Sequence, residues 1–189
     1  VKELYEKGIE VSIRNQKSYR QSDAAAAWTE KKLTAPDWAA IDDAAISSYI
    51  NDDTSSPEGY TDPWKPEYNS DPTTSITVKW DEGASNEEKL ERIITQKWIA
   101  NFPLSTEAWA DYRRTGYPRL FPVVVNNNPD ITNLQLGARR MTYPLEEYEA
   151  NGETIRAAVD QWLGGQDKMS TRLWWDCNPR IRYCLLYTS

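Results

Sequence analysis

The clearest secondary-structure signal in this chain is the stretch Ser85-Asn-Glu-Glu-Lys-Leu-Glu-Arg-Ile-Ile-Thr-Gln-Lys-Trp-Ile-Ala-Asn101. It opens with Ser85 and places Glu88 three residues later, which is the capping-box pattern of a helix N-terminus. Its apolar side chains recur every three or four residues, so they fall on one face of a helix. Pro103 follows the stretch and cannot continue a helix. We therefore predict an amphipathic helix from Ser85 to about Asn101.

Further helices are predicted on both sides of this stretch. Downstream, capping residues and terminal glycines bound three predicted helices, over residues 106–114, 144–149 and 153–163. Upstream, apolar periodicity or an alanine-rich composition predicts three more, over residues 1–16, 24–32 and 38–50. Asp37 is in position to cap the last of these. The chain is therefore predicted to be mainly α-helical, with long connections.

Residues 51–84 are predicted to form a long loop. They contain four prolines and many Ser, Thr, Asn and Asp residues, and only residues 76–80 have the alternation and β-branched content of a strand. Loops of this length in a compact domain are usually functional or disordered. Disordered segments are poor in aromatic residues, whereas this loop carries four large ones: Tyr60, Trp64, Tyr68 and Trp80. We therefore expect an ordered, functional loop.

Composition excludes several classes of function. The chain has 189 residues, a formal net charge of -7 and no histidine. Without histidine it cannot carry a Ser-His-Asp triad, a Cys-His dyad or a His-ligated zinc site. An acidic chain is also a poor match for nucleic acid, because binding to phosphates needs a basic surface. Because no Gly-rich phosphate loop or Cys-x-x-Cys pair is present, we predict neither a cofactor nor a bound metal.

The four aromatic rings of the loop favour a binding site for sugars. A sugar ring packs its C–H face on a flat Trp or Tyr ring, while its hydroxyl groups bond to polar side chains at the rim. Alternatively, the four rings hold the loop against the helices. Another alternative is an enzyme that acts on polysaccharides, since glycoside hydrolysis needs two carboxylic acids, and the loop supplies Asp62, Glu67, Asp71, Asp81 and Glu82. A helical adaptor that binds only protein is a third alternative.

The two ends of the sequence carry expectations of their own. Because the chain starts at Val1 inside a predicted helix, we expect a fragment of a longer protein. The last six residues, Cys184-Leu-Leu-Tyr-Thr-Ser189, match one reading frame of an adapter used in DNA sequencing libraries. We therefore expect residues 184–189 to be a non-native tail. Without that tail Cys177 is the only cysteine, so cysteine usage indicates no redox compartment.

Several motifs follow one another in an order that resembles one protein family. The longest are Ile94-Thr-Gln-Lys-Trp-Ile-Ala-Asn-Phe-Pro103 and Glu107-Ala-Trp-Ala-Asp-Tyr-Arg-Arg-Thr-Gly-Tyr-Pro118. Shorter ones are Arg139-Arg-Met-Thr-Tyr-Pro144, Glu147-Tyr148 with Asn151, Gly164-Gly165 and Thr171-Arg-Leu-Trp-Trp-Asp176. The opening Lys2-Glu-Leu-Tyr-Glu-Lys-Gly-Ile9 resembles the helix that follows a tetratricopeptide-like region in the same family. Together these motifs resemble the C-terminal part of the SusD/RagB family, in its SusD-like lipoprotein branch.

This resemblance implies a fold, a location and a role. Residues 1–183 would be the C-terminal part of a single SusD-like domain, mainly α-helical and with a tetratricopeptide-like scaffold. The protein would lie on the surface of a bacterial outer membrane, held by a lipid anchor outside this sequence. It would capture a polysaccharide or oligosaccharide for a TonB-dependent, SusC-like transporter, and it would hydrolyse nothing. The resemblance assigns no ligand residue, so the site prediction stays with Tyr60, Trp64, Tyr68 and Trp80.

Overall fold

The computed structural model describes residues 1–30, 37–131, 134 and 137–176. In these residues the α-helices are α1 (Lys2–Glu30), α2 (Asp43–Ile50), α3 (Asn86–Ala100), α4 (Ser105–Thr115) and α5 (Leu145–Trp162). Short 3-10 helices occur at Trp38–Ala40 and Pro66–Tyr68. The β-pairing of the described residues is limited to an isolated antiparallel bridge between Tyr60 and Ser70. The prediction of a mainly α-helical chain is confirmed.

Helix α1 corrects the prediction of two separate N-terminal helices. The sequence patterns predict helices over residues 1–16 and 24–32, but α1 runs without a break from Lys2 to Glu30. Residues 17–23 contain neither glycine nor proline, so nothing in them opposes a helical backbone. Ser22 and Asp23 continue the helix instead of starting a new one. Residues 31 and 32 lie outside the described residues, as do Cys177 and the tail at 184–189.

The helix predicted over residues 38–50 is in fact two elements. Asp37 caps the 3-10 helix, since its Oδ1 accepts a hydrogen bond from the Ala39 N–H at 3.0 Å. Asp42 then caps α2, since its Oδ1 accepts from the Ala45 N–H at 2.8 Å. An aspartate that satisfies the first N–H groups of a helix favours a start at that point. The second capping aspartate therefore divides the predicted helix.

Helix α3 forms as its sequence predicts. The Ser85 Oγ accepts from the Glu88 N–H at 3.2 Å, and the Glu88 Oε2 accepts from the Ser85 N–H at 2.9 Å. These two reciprocal bonds are the capping box. On its inner side Ile94 is buried. Glu91 and Arg92 are buried as well, so the apolar periodicity identifies only part of the buried face of this helix.

The strand predicted over residues 76–80 is wrong. The described backbone there is irregular, and its carbonyl groups accept hydrogen bonds from helix side chains instead of from another strand. The Thr77 carbonyl accepts from the Arg92 Nε at 3.0 Å, and the Val78 carbonyl accepts from the Tyr5 hydroxyl at 2.5 Å. Buried backbone groups need partners, and here α1 and α3 provide them.

Helices α4 and α5 agree closely with the prediction. Helix α4 begins one residue before the predicted start and is followed by Gly116 with a φ of 79°. Helix α5 joins the two predicted helices over residues 144–149 and 153–163, with non-helical backbone angles at Asn151 between them. The predicted cap at Asn151 therefore corresponds to a kink. Gly164 and Gly165 adopt positive φ angles after the helix, as terminal glycines do.

The chain forms two compact units that interleave in sequence. The first unit comprises residues 1–59 and 71–108, and the second comprises residues 60–70 and 109–189. The core of the first unit is formed by α1 and the end of the long loop: Tyr5, Ile9, Val78 and Trp80. The expectation that residues 1–183 are part of one domain stays a prediction.

The second unit is organised around a buried ion pair. The Arg139 side chain is only 1% exposed. Its Nε lies 2.6 Å from the Asp176 Oδ2 and its Nη2 lies 2.5 Å from the Asp176 Oδ1, which is a bidentate arrangement. Arg113 donates to the Arg139 carbonyl and stacks on the Trp109 ring, with 3.6 Å between the guanidinium carbon and the ring centroid. A buried arginine needs this kind of full pairing.

Candidate functional site

Residues 60–70 form a small closed loop in the second unit. The Tyr60 N–H donates to the Ser70 carbonyl at 2.8 Å, and the Ser70 N–H donates to the Tyr60 carbonyl at 2.9 Å. This reciprocal pair closes the base of the loop. Three of the four predicted site residues, Tyr60, Trp64 and Tyr68, lie on this one loop.

Asp62 organises the interior of this loop. Its Oδ1 accepts hydrogen bonds from the Trp64 N–H at 2.9 Å and from the Lys65 N–H at 2.7 Å. Its Oδ2 accepts from the Tyr60 hydroxyl at 3.0 Å, and its N–H donates to the Asn69 Oδ1 at 2.9 Å. A single carboxylate therefore contacts two of the predicted site residues, Tyr60 and Trp64, through separate oxygens.

These hydrogen bonds also keep Asp62 ionised. The backbone N–H groups of Trp64 and Lys65 stabilise the carboxylate and hold the pKa of Asp62 below its usual value. The same interaction raises the pKa of the Tyr60 hydroxyl, because that hydroxyl donates to Asp62. The Asp62 carboxylate thus places a negative charge next to the backbone N–H of Trp64.

Trp64 presents its ring to solvent at the tip of the loop. It is 85% exposed, although its N–H is fixed by Asp62. Tyr68 is half-buried, and the Lys65 Nζ lies 5.2 Å from its ring centroid. The same loop thus carries an exposed indole ring and three polar side chains, those of Asp62, Lys65 and Asn69. That combination suits a ligand with both an apolar face and hydroxyl groups.

Trp80 does not belong with the other three residues. It lies in the first unit, is only 6% exposed and packs on Tyr5, with 5.2 Å between the ring centroids. Its ring is therefore part of a core and offers no open face to a ligand. For Trp80 the structure matches the alternative interpretation, in which a ring of the loop packs against the helical body.

Phe121 was absent from the sequence-based set and lies beside Tyr60. The two ring centroids are 6.2 Å apart with an angle of 46° between the ring planes, and both rings are exposed. Residues 118–125 have an apolar sequence, which predicts an extended segment. In the structure much of this segment is exposed, at Leu120, Phe121, Val123, Val124 and Val125. The sequence signal for Phe121 was the apolar run itself, and the exposure of that run could not be read from the sequence.

The arginine motifs of the family resemblance lie inside the second unit. Arg140 pairs with Asp167, which also accepts from the Tyr148 hydroxyl at 2.8 Å and the Tyr143 N–H at 3.0 Å. Burial opposes ionisation of Asp167, but the hydrogen bonds from Arg140, Tyr148 and Tyr143 outweigh it and lower the pKa of Asp167. Through these contacts the residues form part of the hydrogen-bonded framework of the second unit.

Neither a metal site nor a membrane-spanning helix occurs among the described residues. No group of three or more Asp, Glu or Cys side chains among them is arranged to hold a metal ion. None of the described helices is both long enough and apolar enough to cross a membrane.

Comparison with known proteins identifies the fold. The family model "Susd and RagB outer membrane lipoprotein", or SusD-like, matches residues 37–176. A chitin-binding SusD homologue from Flavobacterium johnsoniae is 40% identical and has a TM-score of 0.71, over 94% of this chain and 31% of its own. A search of curated protein sequences found no match.

Two further solved structures give the same result. A SusD homologue from Bacteroides uniformis is 43% identical, with a TM-score of 0.68, over 93% of this chain and 31% of its own. A SusD-like protein from Bacteroides thetaiotaomicron is 34% identical, with a TM-score of 0.71, over 96% of this chain and 33% of its own. The chain thus spans about a third of the length of these structures. By its matched residues and its shared fold, the chain belongs to the SusD-like family of outer membrane lipoproteins.

Proposed function

We propose that this protein captures glycans at the cell surface, as part of an outer membrane lipoprotein that passes them to a SusC-like, TonB-dependent transporter. One observation carries the proposal. Trp64 is 85% exposed, yet the backbone that carries it is fixed by Asp62 and by the bridge between Tyr60 and Ser70. An exposed aromatic ring on an ordered stretch of backbone gains no burial, so packing alone does not account for its position. It is well suited to stacking on a ligand.

The capture mechanism follows from the geometry of the loop. The C–H face of a sugar ring stacks on Trp64, and its hydroxyl groups bond to polar side chains of the same loop, which include the Lys65 ammonium and the Asn69 amide. Because Asp62 already fixes the loop, little ordering entropy is lost on binding. A shallow surface site of this kind makes few contacts, so we expect micromolar to millimolar affinity, which is roughly 4 to 8 kcal/mol.

We also propose that the protein is not an enzyme. Glycoside hydrolysis requires one carboxylic acid that stays protonated to protonate the leaving group. Asp62 is the carboxylate closest in sequence to the exposed ring, and its hydrogen bonds from Trp64 and Lys65 lower its pKa. A carboxyl group with a lowered pKa does not stay protonated, so Asp62 is not suited to act as this general acid. Its oxygens are also already occupied by the loop backbone and by Tyr60.

Chitin is the first ligand to test. The Flavobacterium johnsoniae homologue, which is 40% identical to this chain, is a chitin-binding protein. Each sugar unit of chitin carries an N-acetyl group, and the polar side chains of the loop can form hydrogen bonds with its amide. We therefore propose a polysaccharide of this class, with starch and xylan as comparison ligands.

The test is a pull-down of the purified chain on insoluble chitin, starch and xylan, followed by calorimetry with soluble oligosaccharides. We expect Trp64→Ala to weaken binding at least tenfold, which corresponds to about 1.4 kcal/mol. The matched control is Trp174→Ala, since Trp174 lies in the same unit and is 86% exposed. The control should keep its affinity. Equal loss in both variants, or no binding to any polysaccharide by the unmodified chain, would refute the proposal.

The transporter partnership needs its own experiment. The complete lipoprotein, tagged in its native outer membrane, should co-purify with a TonB-dependent transporter. Trp64→Ala should leave this co-purification unchanged, because ligand capture and partner binding use different surfaces in this proposal. If the complete protein is recovered alone under mild detergent conditions, the partnership is rejected while glycan capture remains open to its separate test.

A further inference from the structure

Helix α5 is interrupted at Asn151, the single asparagine of the sequence that directly precedes a glycine. Its φ of -130° and ψ of 32° lie outside the helical range, although α5 continues on both sides of it. The residue is also exposed to solvent. Asn151 is therefore neither held at the backbone angles of a regular helix nor shielded from water.

An asparagine followed by glycine can react with its own backbone. The Gly152 nitrogen attacks the Asn151 Cγ, so a bond forms between these two atoms and the bond from Cγ to Nδ2 breaks. The amide proton of Gly152 leaves with the departing NH2 group as ammonia. Solvent water then opens the resulting succinimide ring at either of its two carbonyl carbons, which gives aspartate or isoaspartate. Glycine favours the first step because no side chain obstructs its nitrogen.

The Arg156 guanidinium lies against the glycine of this pair. A Cβ atom at Gly152 would lie 2.9 Å from the Arg156 Nη2 and 3.2 Å from its Nη1, so the guanidinium occupies space that another residue type would fill. Negative charge develops in the first step, as the Gly152 nitrogen loses its proton and the Asn151 side-chain oxygen becomes an oxyanion. A positive charge placed beside Gly152 stabilises that step.

One contact holds the asparagine side chain in its unreacted position. The Asn151 Nδ2 donates to the Glu147 Oε2 at 3.2 Å, which ties the amide to the preceding turn of α5. Both side chains are exposed, so water competes for this bond. We propose that Asn151 is a site of spontaneous modification in the folded protein, which converts it through a succinimide to aspartate and isoaspartate, and that Arg156 promotes the reaction.

Other asparagines are in less reactive surroundings. Asn69 precedes Ser70, whose N–H donates to the Tyr60 carbonyl at 2.9 Å. The Asn69 Oδ1 also accepts from the Asp62 N–H at 2.9 Å. Both groups that would have to react are therefore engaged in hydrogen bonds. Asn128 precedes a proline, which has no N–H to lose. Asn69 is the internal control for the proposed site.

The modification would change both the charge and the chain path of α5. Either product adds a carboxylate four residues from Glu147, and like charges at this spacing repel each other on a helix. Isoaspartate also lengthens the backbone by one carbon, because the peptide then continues through the former side chain. Since α5 already departs from helical angles at Asn151, we expect the helical segments on both sides to persist.

Peptide mapping by mass spectrometry measures the reaction in the purified 189-residue chain. The chain is incubated at neutral pH and digested at intervals. Each asparagine peptide is then examined for the mass gain that replacement of NH2 by OH causes, and chromatography separates the aspartate and isoaspartate forms. We expect the gain at Asn151 to precede any gain at Asn69, and we expect both products at Asn151.

Variants separate the folded geometry from the Asn-Gly pair alone. Arg156→Gln should slow the reaction about threefold, because an exposed charge contributes modestly, whereas Arg156→Lys keeps the charge and should retain most of the rate. Glu147→Ala frees the Asn151 amide and should raise the rate. In a peptide of residues 145–158, Arg156→Gln should change nothing, because a helix this short is marginal in water and does not hold Arg156 at Gly152.

Three results would overturn the proposal. The first is an Asn151 that stays unmodified in the folded chain but reacts in the urea-unfolded chain. The second is aspartate without isoaspartate, since direct hydrolysis of the side chain gives aspartate alone. The third is an unchanged rate in folded Arg156→Gln, because the Asn-Gly pair alone would then account for the reaction. None of these measurements involves a glycan, so they leave the test of glycan capture separate.

Discussion

Two tryptophans of the same proline-rich segment, Trp64 and Trp80, have opposite surroundings. Trp80 packs on Tyr5 in the core of the first unit, whereas Trp64 is exposed on a loop of the second unit. Each has a lysine beside it in the sequence, Lys65 next to Trp64 and Lys79 next to Trp80, so these neighbours do not mark either ring as buried. The difference comes from a partner distant in sequence, the ring of Tyr5 on α1. Aromatic composition therefore identifies the segment. It does not show which rings are packed in a core and which are exposed to a ligand.

The largest expected effect is that of substituting the buried tryptophan, Trp80. Trp80→Ala removes a ring from the core formed by Tyr5, Ile9 and Val78. We expect a loss of about 3–5 kcal/mol in the free energy of unfolding, as for other large aromatic truncations in cores. Trp64→Ala should change the same quantity by no more than about 0.5 kcal/mol, because exposed substitutions remove little packing. Urea unfolding followed by far-UV circular dichroism measures both.

The control for this prediction uses an unusual property of Trp80. Its indole N–H is buried and has no hydrogen-bond partner among the described residues. Trp80→Phe therefore keeps most of the ring while losing no hydrogen bond, and we expect a cost below about 1.5 kcal/mol. If Trp80→Ala proved as harmless as Trp64→Ala, the assignment of Trp80 to the core would be wrong.

The sequence predicts local structure well where the signal itself is local. The capping box at Ser85, the stop at Gly116 and the interruption at Asn151 all depend on residues within one or two helical turns. The strand at residues 76–80 fails because its carbonyl groups are satisfied by Tyr5 and Arg92, which lie far away along the chain. A β-branched alternating segment forms a strand only when another strand is available to pair with it.

In the candidate site, too, the contacts within one short segment could be predicted and the contacts between distant segments could not. Tyr60, Trp64 and Tyr68 could be grouped from the sequence because they lie on one short loop. The contact between Tyr60 and Phe121 could not, because it joins segments separated by sixty residues. Asp62 was visible in the sequence only as one of several loop carboxylates. Its role as the acceptor for Trp64, Lys65 and Tyr60 depends on the turn that the loop adopts.

An intermediate effect is expected from Asp62, which holds the exposed ring without being buried. Asp62→Ala removes the acceptor for the Trp64 and Lys65 N–H groups and for the Tyr60 hydroxyl. We expect glycan binding to weaken about fivefold, because the loop must then be ordered on binding. Asp62→Asn keeps one side-chain oxygen as an acceptor and should retain most of the affinity. Calorimetry with the best ligand from the polysaccharide screen measures both variants.

The charge on Asp62 also predicts a dependence on pH. Because its pKa is lowered in the folded loop, its stabilising effect is complete above the unfolded value, about 3.9. That effect is lost as the pH falls through the lower folded value. Binding should therefore be constant from pH 7 to about pH 5 and decline only in more acidic solution. Asp62→Asn should remove this acidic decline, and a decline near neutral pH in the original chain would contradict the assignment.

The smallest expected effect is at Phe121, where the exposed loop meets the second apolar segment. Its ring contacts Tyr60 at a centroid distance of 6.2 Å, but both rings are exposed, so the pair is worth about 0.5 kcal/mol, the lower end for aromatic pairs. Phe121→Ala should therefore weaken glycan binding only about twofold. Val124→Ala, an exposed residue of the same segment, is the control and should have no effect. If Phe121→Ala instead abolished binding while Trp64→Ala did not, the ligand would stack on the pair formed by Tyr60 and Phe121, and the tip of the loop would be only its neighbour.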